Sequence, residues 1–280
     1  MPETPAKHPT SAGSLVSTRP LTVVTGGSEG IGLAIARLLT ERGHRVLLIA
    51  RRPGPLEDAA RSLRAAHLAA DVTTLSLDVT RSDACDVLDA ELGWLGSHVE
   101  ILVNAAGTGQ SGDFSEADPQ VLDLLMTLNM AVPSRLMRHV LPGMRARGSG
   151  GILNIASLGG YAPGPYQAAY YASKAYLISL SEAVAAEVRQ DGVRVTVVAP
   201  GPVDTDFHAK MGAERAIYRR FLPSSSPESV ARWAVRGFEL GLKVVVPGAF
   251  NLLGAVALRL LPHVLLVPFM AWLLDPRRPT

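Results

Sequence analysis

Seven short apolar runs, separated by segments with helical periodicity, constrain this chain more than any other feature. They are Thr22–Thr25, Val46–Ala50, Thr73–Leu77, Ile101–Asn104, Gly151–Ala156, Val193–Ala199 and Val244–Val246. Such runs suit strands buried on both faces, and the helix-like segments between them suit the crossovers that parallel strands require. The expected class is therefore α/β, with a doubly wound, seven-stranded parallel sheet between two layers of helices. No repeat or linker breaks 21–249, which reads as one domain. Residues 1–20, rich in Pro, Ser and Thr, are expected to be a disordered leader without the apolar core of a secretory signal.

The seam between the first strand and the first helix narrows the fold further. Thr25-Gly26-Gly27-Ser28-Glu29-Gly30-Ile31-Gly32 follows the strand pattern Leu21–Val24 and opens the helix pattern Ile31–Leu39. Glycines there let the backbone turn sharply and approach a ligand, while a helix N-terminus presents unpaired N–H groups and partial positive charge to a phosphate. Gly26, Ser28, Glu29, Gly30 and Ile31 are accordingly expected to hold a nucleotide cofactor.

In a doubly wound sheet the residue beyond the second strand meets the adenine ribose, and an acid there accepts a 2′-hydroxyl whereas Arg suits a 2′-phosphate. Val46–Ala50 runs into Arg51-Arg52. Forked guanidinium donors match phosphate oxygens, so NADP(H) is expected ahead of NAD(H). Glu29 opposes this, because it puts a carboxylate in the phosphate loop.

A second constellation carries the chemistry. In Tyr170-Tyr171-Ala172-Ser173-Lys174, Tyr170 and Lys174 stand four residues apart, so on a helix they share a face. A phenol with an ordinary pKa near 10 needs a neighbouring positive charge to exchange a proton near neutral pH. Lys174 supplies one. On its own such a pair is also compatible with an ordinary amphipathic helix.

Taken with their order along the chain, these segments resemble the short-chain dehydrogenase/reductase family, whose fold is the Rossmann-type three-layer sandwich. The resemblance rests on the T-G-x-x-x-G-I-G turn, Asn104-Ala105-Ala106-Gly107, Ser157 thirteen residues before Tyr170, the Y-x-x-x-K pair, and Pro200-Gly201-Pro202-Val203-Asp204-Thr205. It implies that Asp78 and Val79 meet the adenine and that Asn104, Ala105 and Ala106 lie against a ribose. It also implies that Pro200, Gly201, Val203 and Thr205 cradle the nicotinamide end. Ser157, Tyr170, Lys174 and Asn129 would form the catalytic set, with Tyr170 and Lys174 also touching the cofactor and Asn129 sitting where the family's helix opens to hold a water linked to the lysine. Mid-helix Asn is otherwise an uncommon choice. Members of the family assemble as dimers or tetramers through the helices that carry the Asn and the Tyr, so a homodimer or homotetramer is expected.

The function implied is oxidoreduction of a ketone or aldehyde, with its alcohol, on a hydrophobic small molecule. The resemblance implies that substrate choice depends on the lid after Thr205 and on the C-terminus; the lid stretch Asp206 to Pro223 holds Phe207, His208, Met211, Arg215, Tyr218, Arg219, Arg220 and Phe221. Net charge is +2 with basic residues scattered, which leaves no footprint for nucleic acid. The single cysteine, Cys85, excludes an internal disulfide and suits the cytoplasm. No metal ligand set stands out.

The extension 250–280 stays open. Phe250–Leu274 is almost wholly apolar but is interrupted by Arg259, Pro262, His263 and Pro268, whereas a spanning helix needs about 20 apolar residues. It reads as short helices packed on the domain or in a subunit interface, or as a contact with a membrane surface. The alternatives for the whole chain are a membrane-associated reductase of long-chain lipid ketones and a non-catalytic cofactor-sensing scaffold.

Overall fold

The computed structural model describes residues 18–213 and 223–276. Seven strands form one all-parallel sheet: β1 (Arg19–Thr25), β2 (Val46–Ala50), β3 (Val72–Ser76), β4 (Ser97–Asn104), β5 (Gly151–Ile155), β6 (Arg194–Val198) and β7 (Val244–Val245). Their order is 3-2-1-4-5-6-7, so the winding reverses between β1 and β4. β1 starts at Arg19, inside the stretch expected to be leader, because Arg19 and Pro20 pair with Ser97 and His98 at the start of β4. Those four residues carry no apolar signal, which is why the sequence pattern starts both strands later.

The helices are α1 (Gly30–Glu41), α2 (Pro53–Ala66), α3 (Ala84–Trp94), α4 (Pro119–Met126), α5 (Val132–Arg147), α6 (Ala168–Glu187), α7 (Phe207–Lys210), α8 (Pro227–Glu239), α9 (Ala249–Leu260) and α10 (His263–Leu274). Two cores result, one on each face of the sheet. Ile35 and Leu39 of α1, Leu63 of α2 and Phe238 of α8 fill the first. Leu88 of α3, Met137 and Met144 of α5 and Ala185 of α6 fill the second. Strands buried on both sides explain why the runs are continuously apolar rather than alternating.

Local signals set the boundaries. Asp118 caps α4 by accepting from the Gln120 N–H at 2.8 Å, and Ser226 caps α8 by accepting from Ser229 at 3.1 Å, each followed by a first-turn proline. Between α4 and α5 the helix widens into a π-turn over Thr127–Ala131. The apolar extension folds as two helices, α9 and α10, broken at Leu261-Pro262. Leu266, Met270 and Leu274 of α10 pack onto Ala162, with Tyr171, Leu258 and Leu273 around them.

Candidate active site

A cleft of about 1100 Å³ lies across the carboxyl ends of the strands, where the winding reverses. Its floor begins at the glycine turn. Gly26 has φ +67°, and a Cβ there would stand 2.8 Å from the backbone N of Ala106. At Gly32 a Cβ would come within 2.3 Å of the Gly26 carbonyl. Only glycine lets β1, the turn out of β4 and the start of α1 close up this far. Thr25 fastens the same corner: its hydroxyl accepts from the N–H groups of Ala105 and Ala106, each at 3.3 Å. Glu29, at the N-cap of α1, makes no side-chain cap bond, so the first-turn N–H groups face the cleft without a capping acceptor.

Glu29 is instead an ion-pair hub. It meets Arg52 at 3.4 Å and also binds Lys210 of α7. The carboxylate that sequence reasoning set against a 2′-phosphate is thus neutralised by two cations, one of them from the lid. Lys210 carried no sequence signal, since the contact joins residues far apart in the chain. Arg51 and Arg52 are exposed on the cleft wall. Asp78 also lines the cleft; burial opposes its ionisation, but hydrogen bonds from the Thr80 hydroxyl and N–H and the charges of Arg51 and Arg81 hold its carboxyl below the usual range. Val79 lines the wall beside it.

Asn104 does not face the cleft. Its side chain points into the core and donates to Asn154 at 2.8 Å, and Asn154 in turn donates to Ser181 at 2.8 Å. This buried chain ties β4, β5 and α6 together behind the site, and Ala105, Ala106 and Gly107 form the surface in its place.

The residues expected to handle the proton come from three elements. Lys174 is buried, donates to the Ile155 carbonyl at 3.0 Å and lies 5.7 Å from the Tyr170 ring centroid. Burial pushes its pKa down from 10.5 to about 8. Asn129 stands in the π-turn, where its carbonyl accepts from Thr108 N–H at 3.0 Å while its amide donates to Thr108 O at 2.8 Å and to Ser173 Oγ at 3.0 Å. The π-turn is what frees this Asn from the helix to clamp the loop after β4. A Cβ on Gly107 would touch both Asn129 Oδ1, at 3.3 Å, and Lys174 Nζ, at 3.6 Å, so these groups share one small space. Ser157 caps the turn after β5 by accepting from Gly159 N–H at 3.1 Å, and its side chain lines the cleft with Tyr170.

The segment expected at the nicotinamide end is placed by three contacts. The Pro200 carbonyl accepts from Leu158 N–H at 2.8 Å, a Cβ on Gly201 would collide with Asn251 of α9, and Thr205 Cγ2 would lie 3.5 Å from a Cβ on Gly30. Val203 is buried and bridges to Ser225. Of the lid residues, Phe207 packs on the Tyr170 ring at 5.6 Å, His208 lines the cleft, and Met211 is buried against Gly109. Arg215, Tyr218, Arg219, Arg220 and Phe221 lie outside the described residues.

The sequence pointed to the C-terminus for substrate choice but to none of its residues as a wall of the cleft. Phe250, Leu258, Leu261, Phe269 and Trp272 from the α9–α10 pair line the same cleft as Tyr170. Gln167, three residues before Tyr170, is a buried amide on the wall whose Nε2 has no hydrogen-bond partner among the described residues. The signal for the α9–α10 wall was only the apolar composition of the C-terminal stretch, which does not say what it packs against, and Gln167 carried none. Among the described residues no three His, Cys, Asp or Glu side chains are grouped to hold a metal.

The sequence profile of the family described as short chain dehydrogenase matches residues 20–216. An uncharacterized oxidoreductase of Staphylococcus epidermidis is 34% identical over 185 residues, covering 65% of this chain and 77% of the relative. A short-chain dehydrogenase from Sphingobium yanoikuyae in complex with NADPH matches with a TM-score of 0.75 at 30% identity, over 82% of this chain and 88% of that one. The bulky-bulky ketone specific alcohol dehydrogenase from Comamonas testosteroni matches with a TM-score of 0.71 at 28% identity, over 86% of this chain and 92% of that one.

Proposed function

The chain belongs to the short-chain dehydrogenase family, and from that premise we propose that it is an NADPH-dependent reductase of a ketone or aldehyde on a hydrophobic small molecule, working reversibly. The observation that carries the reading is the meeting of Tyr170, Lys174 and Ser157 on a cleft whose other end is the glycine cradle, with the buried Asn129 behind Gly107 beside Lys174.

The residues present fit a nicotinamide dinucleotide. Gly26, Ser28, Glu29, Gly30 and Ile31 would take the pyrophosphate, and Asp78 and Val79 the adenine. Ala105 and Ala106 would take a ribose, and Pro200, Gly201, Val203 and Thr205 the nicotinamide. Arg51 and Arg52 favour the 2′-phosphate form, as does the NADPH held by the Sphingobium relative. The bound cofactor supplies the hydride.

In this reading Ser157 and Tyr170 hydrogen-bond the substrate carbonyl oxygen, and the Tyr170 hydroxyl protonates it as negative charge develops. Lys174, cationic below about pH 8, stabilises the phenolate left behind. Asn129 clamps the loop after β4 at Thr108, and a water held beside it would refill the proton path to Tyr170. Phe250, Leu258 and Trp272 offer an apolar wall to the substrate body, and the Comamonas relative's bulky ketones are consistent with a cleft this wide. The reading includes self-association through α4 and α6, supported by the exposed Val121, Met126 and Tyr176.

Side-by-side fluorescence titrations with NADPH and NADH, followed by absorbance decay against a panel of hydrophobic ketones, test the reading. Tighter NADPH binding with turnover of any ketone is expected. Failure to bind either dinucleotide would sink it.

A further inference from the structure

The inner face of the α9–α10 pair is accounted for by the cleft and the Ala162 cluster; the outer face is not. A surface helix of a water-soluble protein turns polar residues outward. Here Leu252, Val256 and Leu260 follow at four-residue steps along α9, and Leu265, Phe269 and Trp272 at four and three along α10, and all six are exposed. Leu253, Leu260 and Val264 are 71%, 76% and 77% exposed. Phe250–Leu274 contains no acidic residue; its charges are Arg259, with His263, and Arg277-Arg278 follow in the sequence.

This face does not cross a bilayer. Each helix has 12 residues, about 18 Å against a hydrocarbon core of about 30 Å, and among the described residues no helix is long and apolar enough to span. Lying flat is the remaining way to bury it in lipid. The position of the cleft decides between a lipid surface and a second copy of the chain. Phe250, Leu261, Phe269 and Trp272 are exposed on this face and also line the cleft, so the mouth opens within the apolar patch. A second copy seated on the patch would plug that mouth, whereas lipid would leave it open to solutes dissolved in the bilayer.

We infer that the outer face of α9 and α10 docks on an anionic lipid surface, with the cleft mouth opening into the acyl layer. The apolar side chains supply burial, and 250–280, with three arginines against the single acid Asp275, supplies attraction to anionic headgroups, although Arg259 shares its charge with Glu182 at 3.7 Å. The choice of lipid over a second copy, and the delivery of substrate, rest on the reductase reading; the exposure of the apolar face does not.

Flotation of the full chain with vesicles of phosphatidylcholine, with and without phosphatidylglycerol, tests this without any turnover. The wild type is expected to float with the anionic vesicles and to be released by salt. The triple variant Leu253→Asp, Leu260→Asp, Val264→Asp, none of which lines the cleft, should bind them at least about tenfold more weakly. NADPH titration of that variant checks that it is folded and, if unchanged, assigns the loss to the surface. A wild type that stays with neither vesicle type, or a triple variant that binds as well as wild type, overturns the proposal. So does a variant whose only change is a halved mass in solution, which would make the face a subunit contact.

Discussion

The two ends of the cleft are built on opposite principles. At the phosphate end the surface is backbone: glycines without Cβ, uncapped helix N–H groups, and strand ends held within van der Waals contact. At the far end it is side chain: Phe250, Leu258, Leu261, Phe269 and Trp272 on two short helices added after the last strand. The first end tolerates almost no added atom, because a clash with backbone cannot be relieved by a rotamer change. The second is made of apolar side chains, whose rotamers can yield where backbone cannot, so it can set what enters without touching the chemistry. Tyr170 and Lys174 stand between the two, and the predictions run from that junction outward.

The largest effect is expected at the junction. Tyr170→Phe removes only the phenolic oxygen, and turnover should fall at least about a thousandfold while NADPH binding is retained, read by steady-state absorbance and fluorescence titration. Near-normal turnover would separate the chemistry from this cleft altogether.

Lys174→Met should cost at least about a hundredfold in turnover without lowering the thermal midpoint at pH 7. Folding lowers the Lys174 pKa from 10.5 to about 8, so the folded state resists the charge. The penalty, about 3 kcal/mol at full burial, is present below pH 8 and is relieved as pH rises toward 10.5. Loss of the bond to the Ile155 carbonyl offsets about 1 kcal/mol of the gain in the variant. A midpoint well below wild type would show that the lysine is structural rather than held at a cost for function.

The phosphate end is probed by Gly26→Ala, which puts a Cβ against the Ala106 backbone at positive φ. It should weaken both dinucleotides by tens of fold and cost about 1–3 kcal/mol of stability, seen by titration and by denaturant unfolding. Unaltered binding would mean that this corner can open. Arg51→Asp should shift the ratio of NADPH to NADH affinity by about tenfold toward NADH, and an unchanged ratio would reduce Arg51 to surface charge.

The smallest effect belongs to the far wall. Trp272→Ala should raise KM for bulky ketones by a factor of about three to ten while leaving a small ketone almost unaffected. Equal changes for both would dissolve the distinction between the two ends.

What could be read in advance follows the same division. The strands, the glycine turn and the Tyr170–Lys174 spacing were legible because each rests on local rules: apolar runs for buried strands, missing Cβ atoms for a tight turn, four-residue spacing for a shared helix face. The direction of Asn104 was not, since a strand-end Asn faces core or cleft according to what lies on the next strand, here Asn154. Nor was the pairing of Glu29 with Lys210, which depends on where the lid comes to rest.

The sequence by itself thus determined the parallel sheet, the tight glycine turn and the shared helix face of Tyr170 and Lys174, because short-range sterics and periodicity specify them. Tertiary structure alone decided that the π-turn sets Asn129 against Thr108 and Ser173, that Lys174 is stripped of water, and that the apolar C-terminal helices wall the cleft. Each of these depends on which distant surfaces meet, and that is fixed only when the layers pack.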